Sequence, residues 1–248
     1  MKTVRRPLAW IAAAIVFVPA PAFAQSQNAE RPGASGFVRD VLSDYKNFFS
    51  WTNAEWLGVG GIAALAVHPA DDWVREEMLG PDTPSLSGGN VWGSQYFQVP
   101  LAVGVWAIGG VSGNGNVAST GRDLLRAQIS AFSWDYVIKF ATNRTRPNGD
   151  PRSFPSGHAT ASFAAAMVLQ EHFGWKAGVP AFAMGAYTCF TRLTDNQHWL
   201  SDVVFGAALG MVSARTVTVR LRAQPFKVAP LAVRGGGGIQ LVSVGAPK

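Results

Sequence analysis

Residues 191–214 read TRLTDNQHWLSDVVFGAALGMVSA, and this stretch decides the fold class. Leu200 to Ala214 reads as an apolar helix broken by no charge after Asp202. Within it Gly206 and Gly210 form a G-x-x-x-G pair, the spacing that lets helices approach closely in a membrane or in a soluble bundle. His198 and Asp202 stand four residues apart, hence on one helical face. Asp195 or Asn196 can cap that helix.

Working outward, the same pattern recurs upstream. Trp56–Val67, Phe97–Val111, Leu124–Phe140, Ala159–Leu169 and Gly178–Phe190 are further apolar helical stretches. Between them lie turn-rich connectors, notably Gly80–Gly93 and Ser112–Gly121, and Thr120 with Asp123 three residues on marks a helix start. Phe37–Phe49 spaces Phe37, Val41, Tyr45 and Phe48 helically among charges, an amphipathic helix able to lie on a membrane or pack on the domain. After Thr216 the pattern changes to alternation, with Phe226–Val233 and Ile239–Val244 around Gly235–Gly238, as in a β-hairpin or extended tail. The expected fold class is therefore all-α: a bundle of about six core helices with a short C-terminal β-like tail. No internal repeat is visible.

The first 24 residues stand apart. Lys2, Arg5 and Arg6 precede an apolar run from Leu8 to Val18, and Ala22-Phe23-Ala24 offers a small-residue cleavage site. This is the layout of a cleaved export signal, so the expected division is 1–24 leader, 25–50 mature N-terminal segment, 51–218 helical domain and 219–248 tail. Export makes the protein periplasmic. Losing those three basic residues lowers the formal charge from +6 to +3, and the remaining Lys and Arg form no long basic run, so nucleic acid is not an expected partner. Cys189, the single cysteine, sits in an apolar stretch and reads as a core residue. Charged residues make up only 15% of the chain against about 25% in typical soluble domains, which favours membrane association. The apolar runs, about 11 to 17 residues against about 20 for a span, fall on the border.

Three short segments carry the chemistry. KFATNRTRP places Lys139 seven residues before Arg146, two helical turns if one helix continues, and Pro147 stops it. Asp135, four residues before Lys139, is an ordinary salt-bridge partner. The guanidinium forks of Arg146 and Arg192 suit phosphate oxygens, and Lys139 adds a point charge. PSGH puts Ser156 at a natural N-cap and Gly157 and His158 in the first turn of a helix, where free N–H groups bind anions. A carboxylate at Asp202 can fix the His198 tautomer and leave its other nitrogen as a nucleophile or base. His68 and His172 lie outside these segments and read as structural or surface histidines.

In this order and spacing the segments resemble the type 2 phosphatidic acid phosphatase superfamily, which also includes bacterial acid phosphatases and vanadium haloperoxidases. The family pattern is Lys-x6-Arg-Pro, Pro-Ser-Gly-His and Ser-Arg-x5-His-x3-Asp; the one departure is Thr191 in place of Ser. The resemblance implies a helical bundle with its active site at helix ends and a metal-independent phosphatase that needs no cofactor. It implies His198 as the nucleophile that forms a phosphohistidine, Asp202 as its orienting partner and His158 as the general acid. Lys139, Arg146, Arg192, Ser156 and the Gly157 amide would cradle the phosphate. The short gap from Pro147 to Pro155 implies a tight loop. The expected substrate is a phosphorylated lipid or a small phosphomonoester, with membrane lipid as a further partner. A soluble periplasmic acid phosphatase is the first alternative, and a vanadium-dependent haloperoxidase the second.

Overall fold

A computed structural model of the 248-residue chain describes residues 34–79, 87–218, 226–233 and 236–243. The expected leader, the polar stretch to residue 33 and residues 80–86 of one connector lie outside them. The described residues form α1 (Ala34–Phe48), α2 (Trp51–Val67), a single 3₁₀ turn (His68–Ala70), α3 (Asp71–Met78), α4 (Gly88–Trp92) and α5 (Gln95–Val111). They continue with α6 (Gly115–Thr142), α7 (Gly157–Phe173), α8 (Trp175–Thr194) and α9 (Leu200–Val217). Strands β1 (Phe226–Val233) and β2 (Gly236–Ser243) pair antiparallel, with Phe226 opposite Ser243 and Val233 opposite Gly236.

The six long helices α2 and α5–α9 are those that the apolar periodicity marks, each extended by local signals that hydropathy does not register. The Ser50 and Ser94 side chains accept from Asn53 N and Tyr96 N and so start α2 and α5. Asn114 accepts from the Asn116 and Val117 amides, so α6 starts at Gly115 and not at Thr120. Thr120 lies inside the helix, where its hydroxyl donates to Asn116 O and meets His172 Nδ1 at 3.0 Å. The 28 residues of α6 make a rod of about 42 Å. It ends at Asn143, whose left-handed backbone (φ 42°) turns the chain out of the helix.

Packing follows from small side chains. One buried cluster joins Ala102, Leu124, Ala127, Ala131, Ala164, Ala165, Val168, Ala214 and Val217 of α5, α6, α7 and α9. The Gly206–Gly210 pair works within the chain, pressing α9 onto α7. A Cβ at Gly210 would lie 2.2 Å from Thr160 O, and one at Gly206 would lie 2.7 Å from Ser156 O. Helix α1 packs on the domain: Asp44 takes Arg126 Nε and Nη2 at 2.8 and 2.5 Å, and the Phe48 ring stacks on Trp134 with centroids 4.6 Å apart. His172 is structural, buried with Nε2 3.0 Å from Asp123 Oδ2. Cys189 packs against the cluster of Val74, Met78, Ala159, Leu193 and Val203. Among the described residues only Leu200–Val217 is long and apolar enough to cross a membrane by length and composition, and it is largely buried inside the bundle.

The lengths of chain between helices put α2 C-terminus, α5 N-terminus, α6 C-terminus, α7 N-terminus, α8 C-terminus and α9 N-terminus at one end of the bundle. The opposite end is fastened where Asn53 Nδ2 of α2 donates to Thr216 Oγ1 of α9 at 3.1 Å.

Candidate active site

All three chemistry-bearing segments meet at the first of these ends. Lys139 lies one turn before the end of α6. Because that helix stops at Thr142, Arg146 is not its continuation two turns along one face; it reaches the site from the loop that follows. That loop is braced by its own backbone: Arg146 N donates to Asp150 O at 2.7 Å, Gly149 N to Arg146 O at 3.0 Å, and Ser153 N to Arg144 O at 2.7 Å. Ser156 is the N-cap residue of α7, with Gly157 and His158 opening the helix. Arg192 ends α8, His198 lies in the loop between α8 and α9, and Asp202 is in the first turn of α9. Neither Asp195 nor Asn196 caps α9; Asp202 accepts from Trp199 N at 2.9 Å and caps its own helix, while Asp195 closes α8.

A cavity of about 360 Å³ opens here, lined by Lys139, Arg146, Gly157, His158, Arg192 and His198 among others. Each cation is held from behind. Lys139 Nζ donates to Asp135 Oδ1 at 2.9 Å and to Pro155 O. Asp135 is thus more than a surface partner: it is buried, and a Cβ on Gly157 would stand 3.1 Å from its Oδ2. Arg146 Nη1 donates to Gln197 Oε1 at 2.7 Å. Arg192 Nη1 donates to Asn90 Oδ1 and lies 3.6 Å from Asp195 Oδ2. Among the described residues, Ser156 Oγ, Arg146 Nε and Arg192 Nε are buried with no hydrogen-bond partner. Buried donors left unpaired cost about 1–3 kcal/mol each, and here they gather around one cavity. An anion with several oxygens would satisfy them together, beside the first-turn amides of α7, which have no intrahelical acceptor.

Behind His198 stands Asp202, with Oδ2 3.5 Å from Nδ1. The carboxylate is fully buried and saturated: Oδ1 takes Arg144 Nη1 at 2.8 Å, and Oδ2 takes Ser153 Oγ and Trp199 N. Nδ1 faces the carboxylate, so Nε2 is the nitrogen left for other chemistry. Burial holds the imidazole at a pKa of about 4 against its ordinary 6.5, with Lys139 and Arg146 adding to the effect and Asp202 opposing it. His198 is accordingly a neutral imidazole across the ordinary pH range, with a lone pair free to attack or to accept a proton.

The structure brings together every residue the sequence nominates, and it adds several. Asn90, Arg144, Ser153 and Gln197 touch the cradle or the His–Asp pair, and Asp71 holds Arg144 from behind. Asp71 and Asn90 come from α3 and α4, short helices of eight and five residues within or beside stretches that read as connectors. Arg144 alone carried a signal, as a second arginine inside NRTRP. Thr191 also finds its reason: its hydroxyl donates to Thr188 O at 2.8 Å, and its methyl packs where a Cβ on Gly89 would come within 2.8 Å. The extra methyl fills space against α4 and points away from the cavity lining.

Comparison with known proteins agrees with this geometry. Residues 135–225 match the PAP2 superfamily model. A 78-residue stretch is 35% identical to the lipid A 1-phosphatase of Porphyromonas gingivalis, covering 30% of this chain and 18% of that protein. Another, of 79 residues, is 30% identical to the lipid A 4'-phosphatase of Helicobacter pylori, covering 32% of this chain and 40% of the relative. The chain therefore spans less than half the length of these two curated relatives. The crystal structure of Aquifex aeolicus LpxE superposes with a TM-score of 0.50 over 60% of this chain and 94% of that one, at 19% identity, which is a likeness of fold. The matched stretch holds Lys139, Arg146, Ser156, Gly157, His158, Arg192, His198 and Asp202, and over it the chain is similar to the PAP2 superfamily.

Proposed function

We propose that the chain is a phosphatase that hydrolyses a phosphate monoester or diphosphate of a lipid through a phosphohistidine on His198. The observation that carries this is the cavity itself: three cations line one space in front of a His–Asp pair, and the buried, unpaired Ser156 hydroxyl stands next in the chain to the lining residues Gly157 and His158. Lys139, Arg146, Arg192, Ser156 Oγ and the Gly157 amide hold the phosphoryl oxygens, where fixed donors stabilise the charge of the transition state. The Nε2 lone pair of His198 forms the N–P bond as the P–O bond to the leaving group breaks. His158, brought to its protonated form by the charge of the bound phosphate dianion, gives its proton to the departing oxygen. Water then attacks phosphorus, giving a proton back to His158; the N–P bond breaks, and phosphate leaves with His198 restored. Asp202 fixes the Nδ1–H tautomer and offsets the positive charge on the phosphorylated ring.

A lipid is favoured by the apolar outer surface of the bundle. Val59, Ile62 and Leu65 of α2, and Val103, Ile108 and Val111 of α5, are exposed. Tyr96 and Tyr136, both exposed, line the cavity mouth. Apolar faces of this size on a soluble protein mark contact with a membrane or a partner, which argues against the soluble acid phosphatase. Helices of 17 to 28 residues lie within or above the roughly 17–25 that span a bilayer. The relatives named as lipid A phosphatases support a lipid phosphate as the substrate. Export through residues 1–24 belongs to the same proposal: N-terminal sequencing of the mature protein is expected to begin near Gln25, and an intact Met1 would refute it.

Phosphate release by the detergent-purified chain tests the activity. Lipid A, phosphatidate, phosphatidylglycerophosphate and polyprenyl diphosphate are compared with p-nitrophenyl phosphate. The expected result is faster turnover of at least one lipid than of the soluble ester, lost in His198→Ala. Turnover unchanged in His198→Ala would exclude the phosphohistidine.

A further inference from the structure

Two arginines stand two residues apart in NRTRP and face opposite ways. Arg146 lines the main cavity, whereas Arg144 does not. Arg144 instead sits behind the His198–Asp202 pair and forms the wall of a second cavity of about 270 Å³, beside Leu65, His68 and Phe205. We propose that Arg144, held by Asp71, is a positioning residue that fixes the Asp202 carboxylate against His198. The proposal rests on the phosphatase reading above and deepens its account of the site.

The geometry is a closed circuit. Arg144 Nη1 donates to Asp202 Oδ1 at 2.8 Å and to Ser201 Oγ at 2.7 Å, and Nη2 donates to Asp71 Oδ2 at 2.7 Å. Ser201 closes the loop, its amide donating to Asp71 Oδ1 at 2.9 Å and its hydroxyl to Asp71 Oδ2 at 2.6 Å. The guanidinium plane also lies 5.4 Å from the centre of the Trp199 ring, and Trp199 Nε1 donates to Thr145 O at 2.9 Å. Among the described residues Arg144 supplies the one side-chain bond to Asp202 Oδ1; the other donors reach Oδ2, the oxygen that faces His198. Without Arg144 the carboxylate is pinned at one oxygen only and can rotate about its χ2 torsion, which is soft for aspartate. Partners at this remove orient the groups they touch, and their loss in comparable carboxylate–histidine systems costs about 10- to 100-fold. Asp71 matters because it holds a guanidinium that would otherwise be free to follow either carboxylate. It also ties α3 to the first turn of α9, so the α9 end that carries Asp202 is fixed from outside the motif.

Kinetics with p-nitrophenyl phosphate and a lipid phosphate test the clamp. Arg144→Ala is expected to lower kcat by about 10- to 100-fold with KM changed less than threefold, since Arg144 touches no phosphate. Arg144→Lys, which keeps the charge but not the fork, is expected to recover part of the loss, and Asp71→Asn to show a smaller loss in the same direction. In a double-mutant cycle, Arg144→Ala in an Asp202→Asn background is expected to cost less than twofold more. Losses that multiply in full, or a KM that rises with kcat constant, would overturn the clamp. Asp71→Asn carries the same cycle if Arg144→Ala does not fold, as judged by size exclusion and thermal midpoint. The ring-nitrogen NMR signals of His198 need no turnover: they are expected to shift in Arg144→Ala, and identical signals in the two proteins would overturn the proposal. A wild-type protein that hydrolyses nothing while the signals do shift would sink the phosphatase reading and leave the clamp standing.

Discussion

Gly210→Ala puts a single methyl group at the close contact of α9 with α7 that supports the site. The added Cβ would stand 2.2 Å from Thr160 O and 2.9 Å from Ala164 N, both backbone atoms of α7 that no rotamer change can move. Ordinary contact begins near 3.4 Å, so α9 must part from α7 by about 1.2 Å at this point. Two turns earlier, α9 carries Asp202, whose carbonyl accepts from Ser156 N at 3.0 Å, the bond that joins the His–Asp pair to the phosphate cradle. Separation of the helices therefore pulls the carboxylate partner of His198 away from the N-terminus of α7. Overpacking of this kind costs about 1–3 kcal/mol of stability, and a misplacement of about 1 Å costs about 100-fold in rate. The expected result is a lowered thermal midpoint and a kcat reduced by tens- to a hundred-fold, read with p-nitrophenyl phosphate. Gly104→Ala is the control: nothing lies within 4 Å of its new Cβ, and a helical Gly→Ala change in open space stabilises by about 0.5–1 kcal/mol. Wild-type kcat and midpoint in Gly210→Ala, or equal losses in Gly104→Ala, would refute the reasoning.

The pH profile follows from His198. With its pKa pushed down to about 4 by burial, the ring is neutral above that value, and protonation removes the lone pair as pH falls through it; kcat/KM is expected to hold to about pH 5, and an acid limb centred near 6.5 assigned to His198 would contradict this. Arg152 lies over the exposed Phe140 ring at 4.1 Å and lines the cavity mouth, outside the cradle, so Arg152→Ala is expected to raise KM for lipid substrates several-fold with kcat within twofold; a kcat loss with constant KM would place it in the chemistry instead. Topology gives a third result. Six helices, α2 and α5 to α9, run between the two ends, so an embedded bundle has residue 50 and residue 218 on one face of the membrane and the site on the other. Accessible-cysteine labelling at Asn148 and Lys46, in a Cys189→Ala background, should report opposite faces; labelling of both from one side would mean that the bundle lies on the membrane and does not cross it.

The long helices were legible because each carries an apolar stripe longer than a strand can be, and that stripe does not depend on distant partners. Ends were less legible. Thr120 and Asp123 fit a helix start, yet Asn114 won because its side chain reaches two free amides, and the interior Thr120 turned its hydroxyl to its own helix. The motif residues were legible because the anion they share dictates their types. Their supports were not, since Asp71, Asn90 and Ser153 are ordinary polar residues in sequence and acquire meaning only when α3, α4 and the loop before α7 come to lie beside α9 and α8. Arg146 shows the limit of spacing arguments: seven residues from Lys139 suggests one helical face, yet the chain leaves the helix at Asn143 and still returns Arg146 to the cavity.

Charge placement explains how such a site exists before it binds anything. Three cations around one cavity would repel one another in a poorly solvated space, where Coulomb energies are several times those in water. The fold answers with carboxylates set behind two of the cations: Asp135 behind Lys139 and Asp195 near Arg192. Each pair is nearly neutral toward the protein and still presents its donor to the cavity. Arg146 differs, since its described side-chain partner is the neutral amide of Gln197, and its Nε is buried without one. The cradle is thus short of one compensating negative charge, and the shortfall sits on the residue that comes from a loop. A bound phosphoryl group supplies that charge, so binding relieves an imbalance built into the empty site and fixes the loop that carries Arg146 at the same time.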